Sequence, residues 1–429
     1  MIATIIIAAI TCLGMISCII FRPYIMIKGR VSLGTYWLVA LFGAIILLAT
    51  SLVPANEVGQ ALIANTSINP IKILIIFITL TLISVFLDEI GFFRYLANAT
   101  LKKAQGSQLK LFISLYLIAS VLTVFTSNDI IILTFTPFIC FFCKNAKINP
   151  IPYLVAEFVA ANTWSMFLII GNPTNIYLAT SLNITFFEYI KTTFLPTLGA
   201  GVTSFAILML LFFKQLKENI ESPEILDIKI QDRYLLIIGL THLILCIIGL
   251  SVCSYLNIEM WIISLSAFVS LFICVSIYLL ITHKKFKPLE STIKRAPLEL
   301  IPFVLSMFVI VLALKHQGIT NQMFDVLNVG NDGIVYTLTS AVFANVLNNS
   351  PMSVLFSSIL QEGASYKAIF GAIIGSNLGA ILTPVGALAG IMWSNILRRC
   401  DVKYGFLNFI KYGLIIGIPS LIISALLII

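Results

Sequence analysis

The chain has 429 residues, 59% of them apolar and 10% charged, with a formal net charge of +8. A soluble domain carries roughly 25% charged residues, so this composition excludes a soluble enzyme or binding module and describes a polytopic membrane protein in contact with the lipid bilayer. The basic residues sit at the ends of apolar stretches and not in a patch, which excludes nucleic acid as a partner.

Apolar stretches of about 20 residues, the length that crosses a bilayer, recur from end to end. The first covers 2–21 and has neither a basic lead nor a small-residue cleavage site, so it reads as a retained span. Arg22, Lys28 and Arg30 follow it. The second span is 33–53, followed by a polar stretch 54–70 without Lys or Arg. The third is 71–87, ending in Asp88 and Glu89, which the span end is expected to leave in water. Residues 93–108 read as a short amphipathic surface helix.

The next run, 111–143, is apolar but has Ser127-Asn128-Asp129 at its middle and basic residues on both flanks: Lys102, Lys103 and Lys110 before, Lys144 and Lys147 after. Lys and Arg concentrate in cytoplasmic loops, so a single crossing would put one group on the wrong side. The run holds about 33 residues, where two full spans need roughly 40 plus a turn. It is expected to enter and return as a hairpin with its tip near Asp129. A charge at membrane depth is expensive and persists where it faces protein, water or an ion.

The remaining elements follow in order. Residues 152–180 form a span interrupted at Gly171-Asn172-Pro173-Thr174-Asn175, and 194–213 form another. A charged cytoplasmic linker covers 214–233; then come spans 234–252 and 260–281, a basic segment 283–295 and a span 297–314. Residues 334–360 are a second polar-centred hairpin, 368–396 a second interrupted span, and 405–428 the last span. The expected fold is an all-α polytopic membrane protein, a single integral unit of about ten transmembrane helices plus two opposed hairpins, with both termini outside.

The halves resemble each other. Ser84 to Gly91 matches Val311 to Gly318, Asn128 matches Asn348, and Asn162 matches Asn377, at offsets of 227, 220 and 215. The first repeat spans 71–213 (hairpin 111–143, broken helix 152–180), the second 297–428 (hairpin 334–360, broken helix 368–396), with hairpins entering from opposite faces. Inverted repeats with discontinuous helices mark secondary transporters, with the site where the repeats meet. Lipid offers no hydrogen-bond partners, so non-helical backbone at that depth lines a protein cavity. The expected site comprises Ser127, Asn128, Asp129, Asn162, Thr163, Gly171, Asn172, Pro173, Thr174, Asn175, Asn348, Asn349, Ser350, Asn377, Thr383, Pro384 and Gly386. Pro173 and Pro384 break helices; freed carbonyls can hold a cation and freed N–H groups an anion or polar solute. Asp129 is the expected coupling group, for H⁺ or, with Asn128 and Gly171, for Na⁺; the alternative is a helix cap. Glu157 reads as interfacial or paired, and Trp164 and Trp393 as packing. The three histidines stand apart and no metal-spaced cluster occurs, so no resident metal, cofactor or enzymatic centre is expected. The eight cysteines read as buried free thiols, with one C-x-x-C at Cys140 and Cys143.

Four motifs resemble the ArsB/NhaD permease family of arsenite pumps and sodium/proton antiporters. They are Leu87-Asp88-Glu89-Ile90-Gly91-Phe92-Phe93, Asn128-Asp129 with the residues through Pro137, Asn348-Asn349 with Pro351, and Thr383-Pro384 with Gly386, Leu388 and Ala389. The resemblance implies inverted repeats, a scaffold domain, a homodimer and elevator-like movement. It also implies proton-coupled efflux of arsenite or antimonite, and in some systems a soluble arsenical ATPase as partner. Asn162 and Asn377 stand where the arsenical branch has Asp, and Ile381 where it has Lys; the first break is closer to general anion permeases. Arsenite is an uncharged trihydroxide at neutral pH and suits amide and hydroxyl donors. A carboxylate or oxyanion held with Na⁺ suits them too, and a Na⁺/H⁺ exchanger would need more carboxylate than Asp129 alone.

Overall fold

The computed structural model describes residues 1–429 apart from 23, 28–30, 66–68, 105, 221–229, 231, 329 and 429. Lys28, Arg30 and half of the 214–233 linker therefore lie outside the described residues.

Helix α1 (Ile2–Phe21) is followed by a two-stranded hairpin, β1 (Tyr24–Ile27) and β2 (Val31–Gly34), antiparallel with Tyr24 opposite Gly34. Next come α2 (Thr35–Ala49), α3 (Ala55–Ile63), α4 (Pro70–Glu89) and α5 (Phe92–Ala104). The polar-centred run is α6 (Gln108–Phe125) and α7 (Asn128–Asn145); the first interrupted span is α8 (Ile151–Trp164) and α9 (Pro173–Ser181). Then follow α10 (Phe186–Leu216), α11 (Arg233–Val252), α12 (Met260–Ile281), α13 (Lys287–Lys294), α14 (Leu300–His316) and α15 (Ile319–Leu327). The second half closes with α16 (Asp332–Leu347), α17 (Asn349–Leu360), α18 (Tyr366–Gly379), α19 (Leu388–Arg399) and α20 (Phe406–Leu426).

Among the described residues, seven helices are long and apolar enough to cross a membrane: α1, α4, α6, α10, α11 with its short extension, α12 and α20. An eighth is reached if α14 and α15, bent by 81° at Gly318, count as one. Ten crossings were expected. The difference lies where the chain is interrupted, since α8, α9, α18 and α19 are each too short alone, and α2 has only 15 residues. Conversely, α6 and α7 have 18 residues each. At 1.5 Å per residue that is ~27 Å per limb, longer than the half-helices expected for 111–143.

Polar contacts between loops sort the molecule into two ends. At one, the Gly34 N–H donates to Glu299 (2.9 Å), Arg295 pairs with Asp88 (2.8 Å) and Glu89 (2.5 Å), and Lys284 pairs with Asp232 (2.6 Å). At the other, His316 pairs with Glu57 (2.8 Å), Lys72 with Glu259, and Gln361 Nε2 donates to the Ser181 carbonyl (3.3 Å). Helix α4 runs from one end to the other.

The long helix α10, ~46 Å at the same rise, shows how the two hairpin-like units sit. Before α6, the Gly106 carbonyl accepts from the Ile220 N–H (2.7 Å); after α7, Asn149 donates to Gln215 (3.3 Å). Both ends of α6–α7 thus lie at the C-terminal end of α10. For α16–α17, Gly333 packs against Lys367 and Ile428. Gln361 reaches Ser181, and α20 is anchored by Ser424 Oγ on the Pro196 carbonyl (3.0 Å). Both ends of α16–α17 lie toward the N-terminal end of α10, opposite the first unit.

Burial follows this plan. In α4, 72% of the apolar stretch is buried inside the protein, against 28% in α11 and 22% in α12, so α11 and α12 lie at the periphery of the chain while α4 is enclosed beside the broken helices.

Candidate functional site

Three of the four breaks have a polar cap set inside an apolar run. At the first, α6 ends at Phe125 and Ser127, in extended backbone, accepts from the Asp129 N–H (3.3 Å) to start α7. At the second, α8 ends at Trp164, and Asn172 accepts from the Thr174 N–H (3.1 Å) with Pro173 as first residue of α9. Pro173 therefore starts a helix, where its missing donor would be unpaired anyway, and the interruption covers 165–172 instead of beginning at Gly171. At the third, Asn348 (φ 80°) accepts from the Ser350 N–H (3.3 Å) and starts α17. The fourth break covers 380–387, contains Pro384, and leads into α19 without a side-chain cap.

The N-termini of α7, α9, α17 and α19 face one cavity. It is lined by Asn128 and Asp129, Asn172 to Thr174, Asn349 and Ser350, and Ala387 and Leu388, with α4 and α14 supplying apolar walls such as Phe77 and Leu300. No Lys, Arg or His lines it. The cap at α7 is Ser127, so Asp129 is not the capping side chain; its carboxylate makes no hydrogen bond or ion pair among the described residues. Asp129 also lines an adjoining cavity that reaches Arg295 and Glu299 at the basic end.

Behind this wall lies an amide network joining the two halves. Asn128 Nδ2 donates to Asn162 Oδ1 (3.1 Å). Asn377 Oδ1 accepts from Ser165 Oγ (3.0 Å) and Asn172 Nδ2 (2.9 Å), while its Nδ2 donates to Asn175 Oδ1 (2.6 Å) and the Ile373 carbonyl (2.8 Å). Asn175 Nδ2 reaches the Ser165 carbonyl (2.8 Å), and Ser376 Oγ reaches Thr174 Oγ1 (2.8 Å). In the second half, Asn348 Nδ2 donates to the Val385 carbonyl (2.8 Å), the Asn349 N–H to Gly386 (3.0 Å), and Thr383 Oγ1 to Asn345 Oδ1 (2.6 Å).

Of the expected site residues, Asn128, Asp129, Asn172, Pro173, Thr174, Asn349 and Ser350 therefore line the cavity. Asn162, Asn175, Asn348, Asn377 and Thr383 brace it from behind. Gly171 and Gly386 are close-approach positions outside the lining: a Cβ on Gly171 would strike the Ser165 backbone, and one on Gly386 would lie 2.9 Å from Asn345 Oδ1. Of the Asn128, Asp129 and Gly171 grouping, only the first two reach the cavity. Thr163 is buried with its hydroxyl unpaired and lies off the cavity.

Two acids are placed differently from expectation. Asp88 is buried, not solvated: Thr134 Oγ1 donates to it (3.0 Å) and Arg295 pairs with it. Glu157 is fully buried, holding Thr136 Oγ1 (3.1 Å) and Trp393 Nε1 (3.3 Å), so that α7, α8 and α19 meet on one carboxylate. Trp393 is thus a hydrogen-bond donor as well as packing. Asn345 was missed; its signal was a lone Asn three residues before Asn348 in an otherwise apolar helix. Tyr177 and Ser353, also on the cavity, had no local signal.

The chain is similar to several known membrane transporters. Residues 16–369 match the family described as CitMHS, citrate transporter. The chain is 26% identical over 370 residues to the arsenical pump membrane protein of Escherichia coli K12, covering 81% of this chain and 83% of that protein. It is 25% identical over 423 residues to the putative arsenical pump membrane protein of Bacillus subtilis 168, covering 90% and 92%. Its fold is similar to the crystal structure of the Alcanivorax borkumensis YdaH transporter, with a TM-score of 0.57 at 12% identity, over 99% of this chain and 97% of that one.

Proposed function

We propose that this chain, which belongs to the CitMHS citrate transporter family and is a multi-pass membrane transporter and not an enzyme, carries arsenite or antimonite outward in exchange for protons. The observation that carries this reading is the chemistry of the cavity: four helix N-termini, several amides and hydroxyls, and one carboxylate without a partner, with no cationic side chain. Hydroxyl-rich uncharged solutes are recognised by such donors and acceptors. A bare multivalent anion would meet Asp129 with no Lys or Arg to offset it. Proton coupling falls to Asp129, the one carboxylate that lines the cavity. The adjoining cavity toward Arg295 supplies its access to the basic, cytoplasmic end.

The opposed placement of α6–α7 and α16–α17 about α10 supports the reading of two inverted re-entrant units with the solute held between them. On this reading the broken helices move as a body against a scaffold, in a homodimer, with a soluble arsenical ATPase as an added partner in some settings.

One observation favours a second reading, Na⁺- or H⁺-coupled transport of a carboxylate. Each helix N-terminus carries roughly half a positive charge, and four converge here, though the caps on α7, α9 and α17 satisfy part of their N–H groups. Proteoliposomes loaded with arsenite, citrate or radioactive sodium under imposed pH and Na⁺ gradients separate the readings. Proton-driven arsenite movement that Asp129→Asn abolishes is expected. Robust citrate movement without arsenite movement would overturn the first reading in favour of the second.

A further inference from the structure

The C-terminal ends of α7 and α19 carry a feature unrelated to the solute cavity. Cys140 on α7 and Cys400 at the C-cap of α19 line one pocket at the basic end, together with Lys144, Lys403 and Asp401. The two cysteines line this pocket together, and neither is in a disulfide. The C-x-x-C of the sequence is therefore not the pair that faces the pocket; Cys143 is buried behind it and is absent from the lining. Cys140 is itself buried, whereas Cys400 is partly exposed, so the pair has one wall in protein and one side open.

We propose that Cys140 and Cys400 form a dithiol site for a trivalent metalloid, distinct from the transport cavity. In the step, trihydroxy-arsenic(III) condenses with both thiols. Two As–O bonds break and two As–S bonds form, each thiol proton leaves with a hydroxide as water, and the third hydroxyl stays on arsenic. Arsenic remains trivalent, so no oxidant or reductant is required. The site lies 12 residues along α7 from Asn128 and 12 along α19 from Leu388, ~18 Å of helix in each case. Bound arsenic thus joins, at their cytoplasmic ends, the two helices whose other ends line the cavity. Only the identity of the physiological ligand rests on the metalloid reading; the dithiol chemistry does not.

The test uses the full-length chain in detergent and phenylarsine oxide, which condenses with paired thiols, read by intact mass and by maleimide labelling without any transport assay. About one equivalent per chain is expected to bind, to protect two thiols, and to be released by a 1,2-dithiol but not by a monothiol. Cys140→Ser and Cys400→Ser each lose this binding, and Cys143→Ser keeps it. Cys400 is at a helix end and partly exposed, so its variant reports even if the Cys140 variant fails to fold. Absence of binding in the natural chain, or binding that survives Cys400→Ser, overturns the proposal. Because transport is not measured, this result is independent of whether arsenite or a carboxylate is carried.

Discussion

The two broken units are alike in layout and unlike in charge. The first holds Asp129 at its helix start and Glu157 inside α8; the matching positions of the second are Asn349 and Ala372. The second is tied near its breaks by neutral groups, through Asn348 to Val385, Asn349 to Gly386 and Thr383 to Asn345, whereas the first joins its hairpin to its broken helix through Asn128 to Asn162 and through Thr136 to the Glu157 carboxylate. One unit supplies the ionisable groups and the other a neutral frame. A second carboxylate facing the same cavity would repel the first at low dielectric, so the asymmetry keeps one titrating group between two sets of helix N-termini.

The largest test of this contrast is the charge itself. Asp129→Asn is expected to reduce gradient-driven uptake in proteoliposomes to the level of protein-free vesicles while leaving the purified protein folded. Adding Asn349→Asp, which moves the acid to the other unit, is expected not to restore it. Recovery in the double variant would show that the units are interchangeable.

Next in size is the link between the units. Asn377→Leu leaves Asn172 Nδ2 and Asn175 Oδ1 without their partner, each costing ~1–3 kcal/mol, and is expected to lower the unfolding temperature in detergent severely. Asn377→Asp keeps the acceptor for Ser165 and Asn172 but loses the donor to Asn175 and Ile373, so its loss should be smaller. Equal losses would mean that the amide donor dominates.

Glu157 sharpens the assignment of coupling to Asp129 alone. Glu157→Gln retains oxygen and nitrogen near Thr136 and Trp393 and is expected to leave the pH dependence of uptake in place. A pH profile flattened as in Asp129→Asn would make the first unit a two-acid device.

The smallest effect concerns the periphery. Asp232 caps α11, accepting from the Tyr234 N–H (3.0 Å) and bonding Lys284 and Tyr278. Burial opposes its charge, but the Lys284 ammonium, the Leu235 N–H, the Tyr278 hydroxyl and the Tyr234 N–H outweigh it and hold the carboxyl below its usual value. A depressed carboxyl stabilises the fold above the unfolded pKa near 4 and loses that contribution as pH falls through the folded value. Asp232→Ala is expected to cost ~1 kcal/mol at neutral pH, a difference that vanishes in acid, with transport unchanged. This checks that perturbing the peripheral pair α11 and α12 does not reach the site.

Much was legible locally. The spans follow from apolar length, and the breaks at 126–127, 165–172, 348 and 380–387 follow from polar caps and prolines placed where lipid would leave backbone groups unpaired. Composition therefore determined the membrane class, and Ser127-Asn128-Asp129 and Asn348-Asn349 marked the helix restarts. Which side chains meet was decided only in three dimensions. Asn377 bonds residues more than 200 positions away, Glu157 is satisfied from α7 and α19, and Asp88 is drawn out of water by Arg295. Cys140 likewise shares a pocket with Cys400 and not with its sequence neighbour Cys143. The physical reason is range: hydrophobicity and capping act within a few residues of the chain, whereas a hydrogen bond or thiol contact needs only a few ångströms of space, and the packing of distant helices sets that distance.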